Sequence, residues 1–396
     1  MLLATISGFL SEIIMAKLLK KGLEIELFGG TKDGDVLPLS KTLNENFPEI
    51  SQEPDQRNFE YITNPVTEYD ELFSEIIKPR IKYRDFLKKN GDLTLIPGST
   101  IPLNIEKKFY RSKPDDSYHE YIEKNYQTRI ITTSLHINIG IEDYENLFRL
   151  ICALRLDVPL ILALSASSCF HDSQLTNCNS YRWYSFPKTP AFVPFFTDHK
   201  TYIEWTNAQL KNNSMQNVRH LWTSIRPNGI DRPYDLNRIE IRISDLVTDV
   251  RKCIGIVAFI ECLAQNYLLN NQWPKILNKD KASLDNLVNH LENQEEITAK
   301  DGLNAKIWDW RNDTEEKAFK VIESLYKDLT ITANKLNIGN NIKPITEIIT
   351  EGNEAMSFIK MYNKNNSIRK TVQYFIQEYE ASDLKYYNLI KNKINI

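Results

Sequence analysis

Four segments alternate apolar and polar side chains with the period of two that marks a half-buried strand. They are LEIELF at 23–28, FEYIT at 59–63, RIITTSLHINIGI at 129–141 and NRIEIRISDL at 237–246. The run GGTKDGD after the first supplies the glycines and aspartates of a turn. Between the strands the period lengthens to that of a helix, over YDELFSEIIKPRIKYRDFLKKNG from about 69 to 91 and YENLFRLICALRLDVPLILALSAS from 144 onward. Pro79 predicts an interruption or kink in the first of these. Beyond about residue 250, CIGIVAFIECLAQNYLL reads as a buried helix, and polar helices rich in Asn, Lys and Glu follow to the end. No internal repeat or low-complexity linker marks a boundary. The pattern predicts one α+β domain with a helical C-terminal portion.

Successive side chains of a strand face opposite sides of its sheet, so each alternating segment sorts into two faces. Leu23, Ile25 and Leu27 oppose Glu24 and Glu26; Ile137 and Ile139 oppose His136 and Asn138; Ile239, Ile241 and Ile243 oppose Arg238, Glu240 and Arg242. If the strands share one sheet, helices cover the apolar face and the polar face gathers Glu24, Glu26, Glu60 and Glu240 around His136. Clustered carboxylates raise one another's pKa unless cations neutralise them. Hard oxygen ligands joined by an imidazole suit magnesium or manganese, and magnesium sites usually engage substrate phosphates too. Taken singly, each strand is also what an ordinary solvated sheet face looks like. The first strand, however, carries no basic residue to balance its acids.

Charge and cysteine content narrow the partners. Forty-nine basic against fifty-two acidic residues give a formal charge of -3, which lacks the basic footprint of a nucleic-acid binder. Five cysteines form no CxxC pair and suit free thiols in a reducing compartment, so a cytoplasmic protein is expected. The opening MLLATISGFLSEII lacks a basic leading region, carries Glu12 and is too short to span a bilayer. With Met15 directly before AKLLKKGLEIEL, residues 1–21 read as a disposable or partly helical leader from an upstream start codon. Residues 22–396 then form the single domain, and no membrane partner is expected.

Several tempting motifs fail on spacing. GGTKDG is not GxxxxGK[ST], and LSASS is not GxSxG, so the first is turn chemistry and the second a packed helix end. His171 reads as structural or solvated, and Cys169 and Cys178 give no reason to infer a disulfide.

Longer segments carry a resemblance. GLEIELFGG, QEPDQRNFEYITNP, GDLTLIPGST, KFYRS, HEYIE, SLHINIGI, LALSASS, FPKTPA, MQNVRHLW, RPNG with RPYDLNRIEIRISDLVTD, and EGNEA stand in order from about residue 22 to 356. Together they resemble the glutamate-cysteine ligases, in particular the cyanobacterial type within the carboxylate-amine ligase branch. The resemblance implies a glutamine-synthetase-like fold. In it a curved, mainly antiparallel sheet forms an active-site funnel that holds magnesium and ATP, with helices on its outer face. It also implies Glu24, Glu26, Glu53, Glu60, His136 and Glu240 as metal ligands. Asn138 and Arg182 would contact substrate glutamate, Arg242 would contact phosphate, and Arg226 would bind an anion of less certain identity. The departures are Cys169, where many relatives have proline, and Asn177-Cys178 in place of a glycine-containing pair, which leave the loop before Arg182 open in shape.

The implied reaction joins the γ-carboxylate of L-glutamate to the amine of L-cysteine at the expense of ATP, giving γ-glutamylcysteine for glutathione synthesis. A ligase for another amine, and a noncatalytic binding member of the same fold, stand as alternatives. Whether the chain acts as monomer or homodimer is not readable from the sequence.

Overall fold

A computed structural model describes residues 17–270 and 273–394. Its strands are β1 (Lys21–Thr31), β2 (Ile50–Gln52), β3 (Asn58–Ile62), β4 (Leu93–Ile96), β5 (Leu135–Gly140), β6 (Phe170–His171), β7 (Gln174–Leu175), β8 (Ile225–Asn228), β9 (Arg238–Ile241), β10 (Lys306–Asp309) and β11 (Thr314–Lys317). Seven of them form one antiparallel sheet in the order β2-β3-β1-β5-β9-β8, with β4 paired to the far half of β1. The other four form two small hairpins, β6-β7 and β10-β11.

The helices are α1 (Ser40–Asn46), α2 (Tyr69–Lys89), α3 (Ser117–Tyr126), α4 (Tyr144–Arg155), α5 (Val158–Ser165), α6 (Tyr181–Ser185), α7 (His199–Lys211), α8 (Val250–Asn270), α9 (Lys281–Asp301), α10 (Ala318–Lys335), α11 (Gly339–Ile342), α12 (Pro344–Glu351), α13 (Glu354–Asn365) and α14 (Ile368–Ile394). From Val250 onward the described residues are helical apart from the β10-β11 hairpin and short connections.

The apolar face of the sheet is the core. Leu23, Ile25, Leu27, Ile137, Ile139, Ile239 and Ile241 are fully buried and belong to one cluster with side chains of α2, α4 and α8. Helix α8 is long and apolar enough to cross a membrane, yet it lies mostly inside the molecule. Its buried Glu261 pairs with Lys21 Nζ at 2.9 Å and accepts from Tyr69 Oη at 2.6 Å. A fully buried ion pair with a further hydrogen bond is the form in which a charge inside a core is tolerated.

Three expectations change. Lys21 belongs to β1 rather than to a leader, and the segment before it is already docked: the Leu19 amide donates to Glu261 and Gln265 donates to the Lys17 carbonyl. The rest of the expected leader, residues 1–16, lies outside the described residues. Helix α2 runs through Pro79 without interruption. Its buried positions, among them Leu72, Ile76, Arg80 and Tyr83, continue on both sides, so packing outweighs one missing backbone bond. The long helical pattern from 144 is instead two helices, with α5 restarting after Asp157 and Pro159 in its first turn, where proline is well tolerated.

Candidate active site

Register decides which polar side chains meet. Glu26 pairs with Glu60 across β1-β3, Glu24 with His136 across β1-β5, Asn138 with Glu240 across β5-β9, and Glu240 with Arg226 across β9-β8. The polar face thus presents Glu60, Glu24, Glu26, His136, Glu240, Arg242 and Arg226 side by side. A cavity of about 670 Å³ opens over this face. Its walls include Glu24, Glu26, Glu53, Glu60, His136 and Arg242, with Tyr118 from the first turn of α3 and Arg219 and Arg232 from connecting segments. A smaller cavity of about 70 Å³ adjoins it, sharing Glu26, Glu53, His136, Trp222 and Arg242 and adding Arg182, Trp183 and Phe186.

Glu53 comes from a loop rather than a strand, and the loop is pinned. Asp55 accepts from the Arg57 amide and guanidinium at 2.8–2.9 Å and from the Tyr110 amide at 2.9 Å. Two triads result, Glu24-Glu60-His136 and Glu26-Glu53-Glu60, each with ligand atoms within 4.8 Å of one another, and Glu60 is common to both. Burial and then the charge of Glu26 push the Glu53 carboxyl up to about 7, against the pull of Arg219 and Arg242. Burial, with Glu53, Glu24 and Glu26 close by, lifts Glu60 well above the ordinary carboxylate range. Glu24 goes the other way. Burial and Glu240 push it up, but the His136 hydrogen bond at 3.1 Å and the charge of Arg242 outweigh them. Oxygen-rich triads short of compensating charge, one including an imidazole, fit a hard divalent cation.

Glu240 differs. It is fully buried, and both its oxygens are taken: Arg226 donates twice, at 2.7 and 3.0 Å, Asn228 once at 2.7 Å, and Arg242 once. Burial alone would raise its pKa, yet the two guanidiniums hold it well below the ordinary value. Its expected part as a cation ligand requires Arg226 or Arg242 to release it. Arg226, expected to bind an anion, is occupied by Glu240 and by the Leu221 carbonyl at 2.7 Å. Asn138 donates to Glu24 at 3.1 Å and accepts from Arg238 at 3.1 Å, so its amide is engaged at both ends.

Arg182 sits at the wall of the smaller cavity. Ser167, Ser168 and Ser180 all hydrogen-bond Asp245, which lies 3.5 Å from an Arg182 nitrogen. The serines after α5 therefore orient Arg182 through a shared carboxylate. Two backbone carbonyls, of Ile243 and Arg242, accept from the same guanidinium, and only its Nε is buried without a partner. Asn58, which also lines this cavity, has its Oδ1 buried and unpartnered. His171 stacks at a tilt, 4.9 Å from Tyr181, outside both cavities, and all five cysteines are free and buried.

Periodicity gave no hint of Lys113, Tyr118, His119, Arg219 or Arg232, which all line the larger cavity. Asp116 caps α3 by accepting from the amides of Tyr118 and His119, and so fixes where those two side chains project. The acid-basic-aromatic mixture of KPDDSYHE was the available signal.

A helix-backed antiparallel sheet whose polar face gathers acids and arginines into a nucleotide-sized cavity is the glutamine-synthetase-like architecture of carboxylate-amine ligases. The fold matches a glutamate–cysteine ligase from Francisella tularensis, solved in complex with AMP, with a TM-score of 0.72 and 13% identity over 96% of this chain and 94% of that one. It also matches a bifunctional glutathione synthetase from Pasteurella multocida, with a TM-score of 0.71 and 14% identity over 93% of this chain and 53% of that longer one. The chain belongs to glutamate-cysteine ligase family 2 (GCS2), whose profile matches residues 20–374. Relatives provisionally named glutamate–cysteine ligase 2 include one from Solibacter usitatus, 28% identical over 301 residues and 74% of each chain. Another, from Herpetosiphon aurantiacus, is 24% identical over 315 residues and 78% of each chain.

Proposed function

We propose that the protein joins the γ-carboxylate of L-glutamate to the amine of L-cysteine with ATP hydrolysed to ADP and phosphate, yielding γ-glutamylcysteine. The observation that carries this reading is the pair of carboxylate triads sharing Glu60, with Arg242 beside them on the wall of one cavity of about 670 Å³, a volume suited to a nucleotide. We assign Glu24, Glu26, Glu53, Glu60 and His136 to hold magnesium or manganese. Bound there, such ions neutralise phosphate oxygens and align donor with acceptor.

A carboxylate is a poor acyl donor, so the γ-carboxylate must first take a phosphoryl group; the amine then displaces phosphate through a tetrahedral intermediate. Arg242, held by Glu240 and 3.4 Å from His136, is placed to stabilise charge on the transferring group. Glu240 acts by positioning Arg242 and Arg226 as one charged unit. Arg182 is assigned to an amino-acid carboxylate in the smaller cavity, where its unpartnered Nε and Asn58 Oδ1 supply a donor and an acceptor. Trp183, Phe186 and Trp222 exclude water from that end. Free, buried cysteines are consistent with a cytoplasmic setting.

The test is ADP release by purified protein with magnesium, ATP and glutamate, comparing cysteine with a panel of other amines and identifying the product by mass. Cysteine-dependent release with γ-glutamylcysteine is the expected result. Release with another amine only keeps the mechanism and changes the acceptor; no release from folded, metal-loaded protein defeats the ligase reading.

A further inference from the structure

The arginines around Glu240 are not equivalent. Arg226 and Arg242 both donate to that carboxylate, whereas Arg232, which lines the same cavity, has its Nε and Nη1 buried without a hydrogen-bond partner. A guanidinium taken out of water without an anion is costly, and it is normally found paired. The neighbouring acids are already engaged: Glu240 by Arg226, Arg242 and Asn228, and Glu24 by His136 and Asn138.

Arg232 is nonetheless held in place. It sits in the connection between β8 and β9, which folds back on itself: the amides of Tyr234 and Asp235 donate to the Asp231 carbonyl at 2.7 and 2.6 Å. At the base of this turn a Cβ on Gly229 would lie 1.9 Å from the Asp235 carbonyl oxygen, so only glycine permits the close return. The Pro233 carbonyl, next in the chain, lies 2.8 Å from His199 Nε2 of α7. An arginine fixed by its backbone and lacking a protein partner at two nitrogens is arranged for a ligand anion.

We propose that Arg232 binds the phosphate chain of the nucleotide. The inference rests on the ligase reading and extends it to a residue outside the strands. The planar guanidinium fork matches phosphate or carboxylate equally well in geometry. Position favours phosphate: the nucleotide-sized cavity is the one Arg232 lines, while the smaller cavity has its own unpartnered arginine nitrogen, on Arg182, for an amino-acid carboxylate.

The experiment is calorimetric titration of ADP with magnesium into the wild type, Arg232→Met, Arg232→Lys and Glu60→Gln, with glutamate KM measured alongside. Arg232→Met is expected to weaken ADP at least tenfold and Arg232→Lys by less, with glutamate KM within twofold of wild type. Unchanged ADP affinity in Arg232→Met, or a rise in glutamate KM alone, overturns the assignment. If Glu60→Gln weakens ADP while Arg232→Met does not, the ligase reading stands and this inference falls; a wild type that binds no ADP removes both. Should Arg232→Met not fold, the Arg232 Nε–H resonance of the wild type reads the same contact. It should move on adding ADP and stay put with adenosine or glutamate, and a resonance that ignores ADP overturns the proposal.

Discussion

The two ends of the polar sheet face carry the same side chain under opposite conditions. On β3, Glu60 is buried among Glu53, Glu24 and Glu26, and its pKa is driven well above the carboxylate range. On β9, Glu240 is at least as deeply buried, yet Arg226 and Arg242 drive its pKa well below that range. Burial is common to both, so the difference lies in the neighbours. One end is short of positive charge and the other supplies its own. A site built this way takes a cation at the first end and presents rigid guanidiniums at the second, which is the division of labour that moving a phosphoryl group requires.

The largest effect is expected from Glu60→Gln, because Glu60 belongs to both triads. Turnover should fall by roughly a thousandfold or more, a barrier increase of about 4 kcal/mol. The metal-free protein should melt no lower than wild type, since the change removes one of several mutually repelling acids. Steady-state kinetics and a thermal melt in chelator check the two halves. Near-normal magnesium-dependent turnover would refute the assignment of the acid-rich end.

Glu240→Gln tests the other end and should act mainly on the fold. It leaves two buried guanidiniums without their shared counter-charge, a situation that costs about 3 kcal/mol when one partner of a buried pair is removed. Urea denaturation of the metal-free protein should show that loss, against none in Glu60→Gln. Equal stability of the two variants would erase the contrast between the ends.

What the sequence revealed of this arrangement follows from what has a period. Strands β1, β3, β5 and β9 alternate cleanly, so Glu24, Glu26, Glu60, His136, Glu240 and Arg242 could be sorted onto one face before any pairing was known. Strands β2, β4 and β8 span only three, four and four residues, and the sequence flanking them does not prolong an alternation as it does around the equally short β9; Pro227 disguises β8 further. Proline is admissible there because β8 is an edge strand. Missing β8 hid its pairing with β9, and with it the fact that Arg226 and Asn228 saturate Glu240. Glu53 was reached through family resemblance alone, since its place opposite Glu60 depends on the Asp55-Arg57 turn. Arg219 and Arg232 lie in irregular connections, where no repeat says which way a side chain points.

The smallest expected effect is also the one that separates the two ends without a mutation. Glu53 has its folded pKa raised to about 7 from an ordinary value of 4.5, so the stability linked to it is fully present below 4.5 and is lost as pH rises through about 7. Glu240 has its pKa depressed, so its contribution is present above the ordinary value and is lost only as pH falls through the folded value, well below 4.5. Between pH 5 and 8, therefore, only the acid-rich end titrates. Metal-free protein should lose roughly 2–4 °C of melting temperature over that interval, on the scale of about 2 kcal/mol. Magnesium should restore the loss, and restore more at pH 8 than at pH 5, because it binds the ionised form. In Glu53→Gln the slope should shrink. A melting temperature independent of pH in chelator, or a magnesium shift of equal size at both ends of the interval, would mean that the carboxylates around Glu60 are already compensated from within the protein and that the two ends of the sheet are alike.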